Sequence, residues 1–144
     1  MYTTEIFRKI AMESRFELLR SYSFYSRKKG VSSAEAGYAI TQEAIKRGFI
    51  EHRKPIPGTT FSGWIRDKRT PAWPIKAALF LLMDIPEFFP TENQKIAIAL
   101  TLAELFPDFS EAALVELLKG SLEHIDWSEL IHVACLARKR GLYQ

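Results

Sequence analysis

The chain has 144 residues, of which 47% are apolar and 26% charged, an ordinary balance for a globular protein long enough to bury a core. Its net charge is +3, and its longest apolar run, residues 77–83, falls far short of the roughly 20 residues a membrane span needs. A single cysteine, Cys135, excludes an internal disulfide and a cysteine-based zinc site and suits a reducing cytoplasm. Residues 1–5 carry no basic stretch followed by an apolar run, so no secretory signal is expected.

Thr3 reads as the cap of a helix whose apolar stripe runs through Ile6, Phe7, Ile10, Leu18, Leu19 and Tyr22. Neither proline nor glycine interrupts it before Gly30, so one helix is expected up to the basic patch Arg27-Lys28-Lys29. That patch suits the negative end of a helix dipole and equally suits a phosphate contact. Ser32 with Glu35 predicts a capping box opening a second helix through Ala36, Ile40 and Ala44, which Gly48 ends after a basic last turn. Residues 49–57 hold His52, Arg53, Lys54, Pro55 and Pro57, and two prolines this close predict an extended basic loop.

The rest of the chain looks arranged around residues 58–73, which read Gly-Thr-Thr-Phe-Ser-Gly-Trp-Ile-Arg-Asp-Lys-Arg-Thr-Pro-Ala-Trp. Thr59 or Thr60 offers a cap, and Phe61, Trp64 and Ile65 at i, i+3 and i+4 give a short helix one face to bury. Ser62, Gly63, Arg66 and Lys68 fall outside, and Thr70-Pro71 stops the helix. Trp64 and Trp73 are expected in the core.

The run from Thr60 to Arg66, followed by Lys68, Arg69, Thr70, Pro71 and Trp73, resembles the recognition helix of Cro/lambda-repressor-like (Xre-type) helix-turn-helix regulators of phages and plasmids. The resemblance covers roughly residues 32–84. It implies an all-α fold with a helix-turn-helix DNA-binding domain over residues 1–85 and a helical dimerisation or partner-binding region over 86–144. It also implies double-stranded DNA as partner, with Thr59, Thr60, Ser62 and Arg66 at base edges and Lys54, Lys68 and Arg69 on phosphates. The sequence departs from the pattern twice: residues 48–58 replace a turn of three or four residues, and Gly63 replaces a larger polar side chain. These departures favour a second hypothesis, a protein-interaction adaptor or anti-repressor that keeps such a shape without reading DNA.

Pro74 is expected at the first position of a helix that is apolar nearly all round to Met83. Residues 84–90, with Pro86 and Pro90, mark the candidate boundary. Beyond it, Thr91 with Gln94 predicts a capping box, and Ser110 opens a helix that stops at Gly120. Asp126 with Glu129 predicts another box, opening a last helix that ends in a basic turn at Arg138-Lys139-Arg140. Residues 1–83 hold fifteen Lys/Arg against seven Asp/Glu, a balance of +8; residues 84–144 hold five against ten, a balance of −5. A basic half for a polyanion and an acidic half kept off it is the natural division. Ala97, Leu100, Leu114, Leu117, Leu118, Ile131 and Leu136 exceed what three short helices hide easily, which predicts a homodimer through the acidic half, or a protein partner there.

Nothing resembles an active site. His132 and Cys135 stand at i, i+3 but lack a third ligand at suitable spacing. There is no phosphate-cradling glycine loop and no nucleophile beside a base. No enzyme activity, metal or cofactor is expected.

Overall fold

A computed structural model describes residues 2–67 and 69–138. The fold is all-α. Its helices are α1 (Thr4–Ser14), α2 (Phe16–Lys28), α3 (Ser33–Lys46), α4 (Gly58–Asp67), α5 (Ala72–Met83), α6 (Glu92–Leu105), α7 (Glu111–Lys119) and α8 (Ser128–Ala137). Among the described residues no helix is long and apolar enough to cross a membrane.

The helices group into two compact units: Met1–Arg15 with Pro86–Gln144, and Phe16–Ile85. A single cut at 85/86 therefore does not describe the chain, because its first helix belongs with the C-terminal segment. The one long helix expected from residue 3 to 29 is accordingly two, α1 and α2, separated at Arg15.

The discontinuous unit is built on α6, whose buried residues, from Gln94 to Glu104, leave little of it outside. Helices α1 and α8 pack on it, and α7 packs on α8. Its start obeys the sequence: Thr91 and Gln94 form the reciprocal capping box. The α7 cap is Ser110, as expected, with Ala113 N–H donating to its hydroxyl. The box expected at Asp126 does not form; α8 starts at Ser128, and the Asp126 carboxylate accepts the Ser128 N–H at 3.1 Å instead. That hydrogen bond holds the Asp126 carboxyl below its ordinary pKa. The preceding loop turns around Trp127, which is 1% exposed and donates its indole N–H to the Leu122 carbonyl.

One charge pair lies inside this unit. Arg8 of α1 donates to the Glu104 carboxylate of α6 at 2.5 Å and to the Ala137 carbonyl of α8 at 3.0 Å. The Glu104 side chain is 3% exposed and that of Arg8 19%. A carboxylate removed from water is tolerable only when paired and hydrogen-bonded like this.

The contiguous unit is built on α5, which is apolar on nearly every side, Lys76 apart, and buries most residues from Pro74 to Met83. Helices α2 and α3 pack on α5, and α4 packs on α3. Helix α5 begins at Ala72, two residues before the expected start, so Pro74 occupies the third helical position. Its missing N–H still costs nothing there, because the first turn has no intrahelical acceptors. Helix α3 follows its sequence signals closely, with the Ser32/Glu35 capping box at its start and Gly48 in the left-handed region (φ +77°) past its end.

Candidate nucleic-acid interface

A helix as short as α4 is marginal alone, and the structure shows what holds it. At its C-terminal end, Arg20 donates to the Ile65 carbonyl and the Thr70 hydroxyl donates to the Trp64 carbonyl, both at 3.3 Å. These satisfy two carbonyls that lack intrahelical partners. Its one fully buried side chain is Phe61, which meets Tyr22 of α2 edge to face at 6.3 Å. Trp64 and Ile65, expected to share that buried face, are half-buried. Trp64 and Trp73 are not core residues; they form an edge-to-face pair at 5.6 Å on the flank.

At the N-terminal end the expected threonine cap is absent. The helix begins at Gly58, and the Pro57 carbonyl accepts the N–H groups of Thr60 and Phe61 at 3.0 and 3.1 Å. Thr59 and Thr60 therefore lie inside the first turn. Gly58 is required for a packing reason: a Cβ there would stand 2.9 Å from the Ala34 backbone nitrogen, at the start of α3.

How α4 comes to start beside the start of α3 is explained by the connector, residues 47–57. Past Gly48 the Phe49 N–H returns to the Ala44 carbonyl at 2.9 Å, turning the chain back on α3. Ile56, 3% exposed, lies against Gly37, where a Cβ would stand 3.0 Å from Ile56 Cγ1. Between these points Thr41 acts as a clip: fully buried, it donates to the Gly37 carbonyl at 2.8 Å and accepts the Ile56 N–H at 3.2 Å. The extended basic segment is thus laid along α3 from its C-terminal to its N-terminal end. Its length serves to bring two helix N-termini together, which a turn of three or four residues does not do.

The residues expected at base edges divide accordingly. Thr59, Ser62 and Arg66, at i, i+3 and i+7, are exposed together on one face of α4. Thr60 is half-buried and off that line. Ser62 donates its hydroxyl proton to Ser33 Oγ at 3.2 Å. Arg66 donates through Nε to Asp67 at 3.0 Å, a bond that raises the guanidinium pKa further. Gly63 faces open space apart from the Arg66 guanidinium at 3.9 Å from where its Cβ would be. Of the residues expected on phosphates, Lys54 and Arg69 are exposed, and Lys68 lies outside the described residues. Arg53 donates to the Lys54 carbonyl at 3.1 Å and stands 5.9 Å from the Trp73 ring centre.

Sequence reading missed a notch of about 170 Å³ where α2, α3 and α4 meet. Its inner wall is Ser23, Phe61 and Ile65, and its outer wall is Arg27, Ser33, Ser62 and Arg66. Arg27 had stood out only as one cation in a basic run. Ser33 gave no signal, because a serine beside a capping serine looks like part of the cap.

Charge supports the same unit. Residues 16–85 hold twelve Lys/Arg against six Asp/Glu, a balance of +6, while the discontinuous unit holds eight against eleven, a balance of −3.

The residues expected to make an apolar surplus in the acidic half are mostly buried, although Phe89, Phe109 and Leu136 are exposed there. Ala97, Leu100, Leu114, Leu118 and Ile131 are buried within their own unit, and Leu117 is half-buried. Leu136, 64% exposed, is the sole one of the seven left outside. Six of those seven residues therefore give no argument for a homodimer through this half. His132, paired with Cys135 in the sequence reading, instead has Nδ1 3.0 Å from the Glu111 carboxylate. Among the described residues no group of three His, Cys, Asp or Glu is placed to hold a metal ion.

Compared with known proteins, the chain matches no family model, no curated protein and no solved structure.

Proposed function

We propose that residues 16–85 form a double-stranded DNA-binding module, and that the protein is a sequence-specific transcriptional regulator of the phage or plasmid kind, working in the cytoplasm. One observation carries this reading. The outer face of α4 presents Thr59, Ser62 and Arg66 with no large apolar side chain among them, on a unit whose balance is +6. Hydroxyls and a guanidinium on an exposed helix are what base edges and phosphates accept. Lys54 and Arg69, both exposed, suit the backbone on either side of such a helix.

The second reading, an adaptor or anti-repressor that contacts protein and not DNA, is favoured by the connector laid along α3. It replaces the short turn that sets a recognition helix across its neighbour. A titration separates the two. On the DNA reading, a labelled random duplex binds in the micromolar range at about 50 mM salt and loses affinity steeply by about 200 mM. No binding at the lower salt would leave the adaptor as the better account. The proposal stands on one copy of the chain; sedimentation of the protein with and without a selected duplex tests for a second copy.

A further inference from the structure

The notch between α2, α3 and α4 has a chemistry that the proposed function does not by itself assign. Five polar side chains line it from three helices: Ser23 and Arg27 on α2, Ser33 at the start of α3, and Ser62 and Arg66 on α4. At about 170 Å³ it is well below the roughly 300–1,000 Å³ of pockets that take drug-sized ligands. It has room for one small anion. Ser62 spends its proton on Ser33, which leaves the Ser33 proton to donate elsewhere. The Arg27 side chain has no hydrogen-bond or ion-pair partner among the described residues; its carbonyl accepts the Gly30 N–H. Arg66 is bound to Asp67 through Nε alone, in an exposed pair of the kind that holds weakly. Both terminal nitrogens of its guanidinium remain, in the fork geometry that suits two oxygens of one phosphate.

We propose that this notch seats a single phosphate of the DNA backbone, gripped between Arg27 and Arg66 with the Ser33 hydroxyl as a third donor. The inference rests on the DNA-binding reading for the source of the phosphate and changes the roles within it. Arg66 and Ser62, expected at base edges, become anchors that fix the register of α4 on the duplex. Thr59, one turn nearer the N-terminus and outside the notch, remains the residue of α4 that is free to meet a base. The close approach of α3 and α4 at Gly58 is what places Ser33 and Ser62 within one hydrogen bond of each other.

The test uses the whole chain, as wild type, Arg27→Ala and Arg27→Lys, with two probes. The first is a selected duplex beside a scrambled one, titrated over a range of salt. The second is inorganic phosphate at constant ionic strength, with backbone amide resonances as the readout. Arg27 is exposed, so the substitutions should leave the fold intact. The expected result is that Arg27→Ala weakens both duplexes alike, about tenfold, and flattens the log–log salt dependence by about one unit. Arg27→Lys, which keeps charge but loses the fork, should recover part of this. Phosphate alone should move the Ser33 and Ser62 amides saturably in the wild type and leave them still in Arg27→Ala. A loss confined to the selected duplex would overturn the proposal by making the notch a base reader. So would duplex binding untouched by Arg27→Ala, or phosphate shifts that map elsewhere, and both leave the DNA reading standing. Phosphate binding in the notch without any duplex binding would instead sink the DNA reading and keep an anion site for some other phosphorylated ligand.

Discussion

The two units solve the same problem with opposite uses of charge. Each is organised on a helix with almost no polar face, α6 in one and α5 in the other. The discontinuous unit takes a charge pair inward, where Arg8 and Glu104 tie α1 to α6 and α8. The contiguous unit leaves most of its cations outside and holds its interior with glycine approaches and the buried hydroxyl of Thr41. The difference teaches where to look for function. Charge buried in a pair is committed to the fold, whereas charge left on a short, well-clamped helix is available to a partner.

The largest effect should come from breaking the inward pair. Glu104→Ala leaves the Arg8 cation without its carboxylate, and losing one partner of a buried pair costs about 3–5 kcal/mol. Because Arg8 retains some access to water, the lower end is expected. Trp127 reports on this unit and Trp64 and Trp73 on the other, so urea unfolding of Trp127→Phe beside the parent protein separates the two transitions. Destabilisation of both transitions by equal amounts would show that the units unfold as one.

A smaller effect should follow from forcing apart the helix starts in the contiguous unit. Gly58→Ala places a methyl group 2.9 Å from a backbone nitrogen that cannot swing away. Overpacking of this kind costs about 1–3 kcal/mol. It should also weaken duplex binding more than Gly63→Ala, whose Cβ meets open space. Equal binding by the two variants would show that the α3–α4 approach does not matter to the interface.

The smallest should be Thr41→Val, which keeps the shape and removes the clip. The Ile56 N–H then loses its buried acceptor, at a cost of about 1–2 kcal/mol. Hydrogen exchange at Ile56 should quicken well before that of α5. Protection at Ile56 equal to the parent's would mean that the connector is held by side-chain packing alone.

How legible all this was depends on the range over which each signal acts. The capping boxes at Ser32 and Thr91 and the stop at Gly48 are local, and the structure has them where the residues say. The break at Arg15 could not be read, because the buried positions Phe7, Ala11, Ser14, Leu18 and Tyr22 continue one stripe straight through it. The pairing of α1 with α6 joins residues 96 apart, and no periodicity records that. Nothing local marks Thr41 as buried; its burial depends on where Ile56 arrives fifteen residues later. Helical spacing puts Ser62 and Arg66 outside α4, where they are, whereas only the cap and the resemblance single out Thr59 and Thr60. Arg27 was expected only as part of a basic patch suited to a phosphate, and Ser33 gave no signal, because the neighbourhood they share is made by three helices meeting.

The separation of α1 from its partners has a consequence in time. A ribosome adds about 5–20 residues each second, so Arg8 emerges some 5–20 seconds before the Glu104 that neutralises it, given the 96 residues between them. Phe7, which is wholly buried in the finished protein, has no α6 or α8 to cover it during that interval. The contiguous unit faces no such delay, since all four of its helices follow one another directly. Synthesis therefore delivers the basic module complete while the acidic one still waits for its last strand of sequence. A nascent chain whose first 90 residues have emerged would carry the first unit with nothing yet built of the second but a helix.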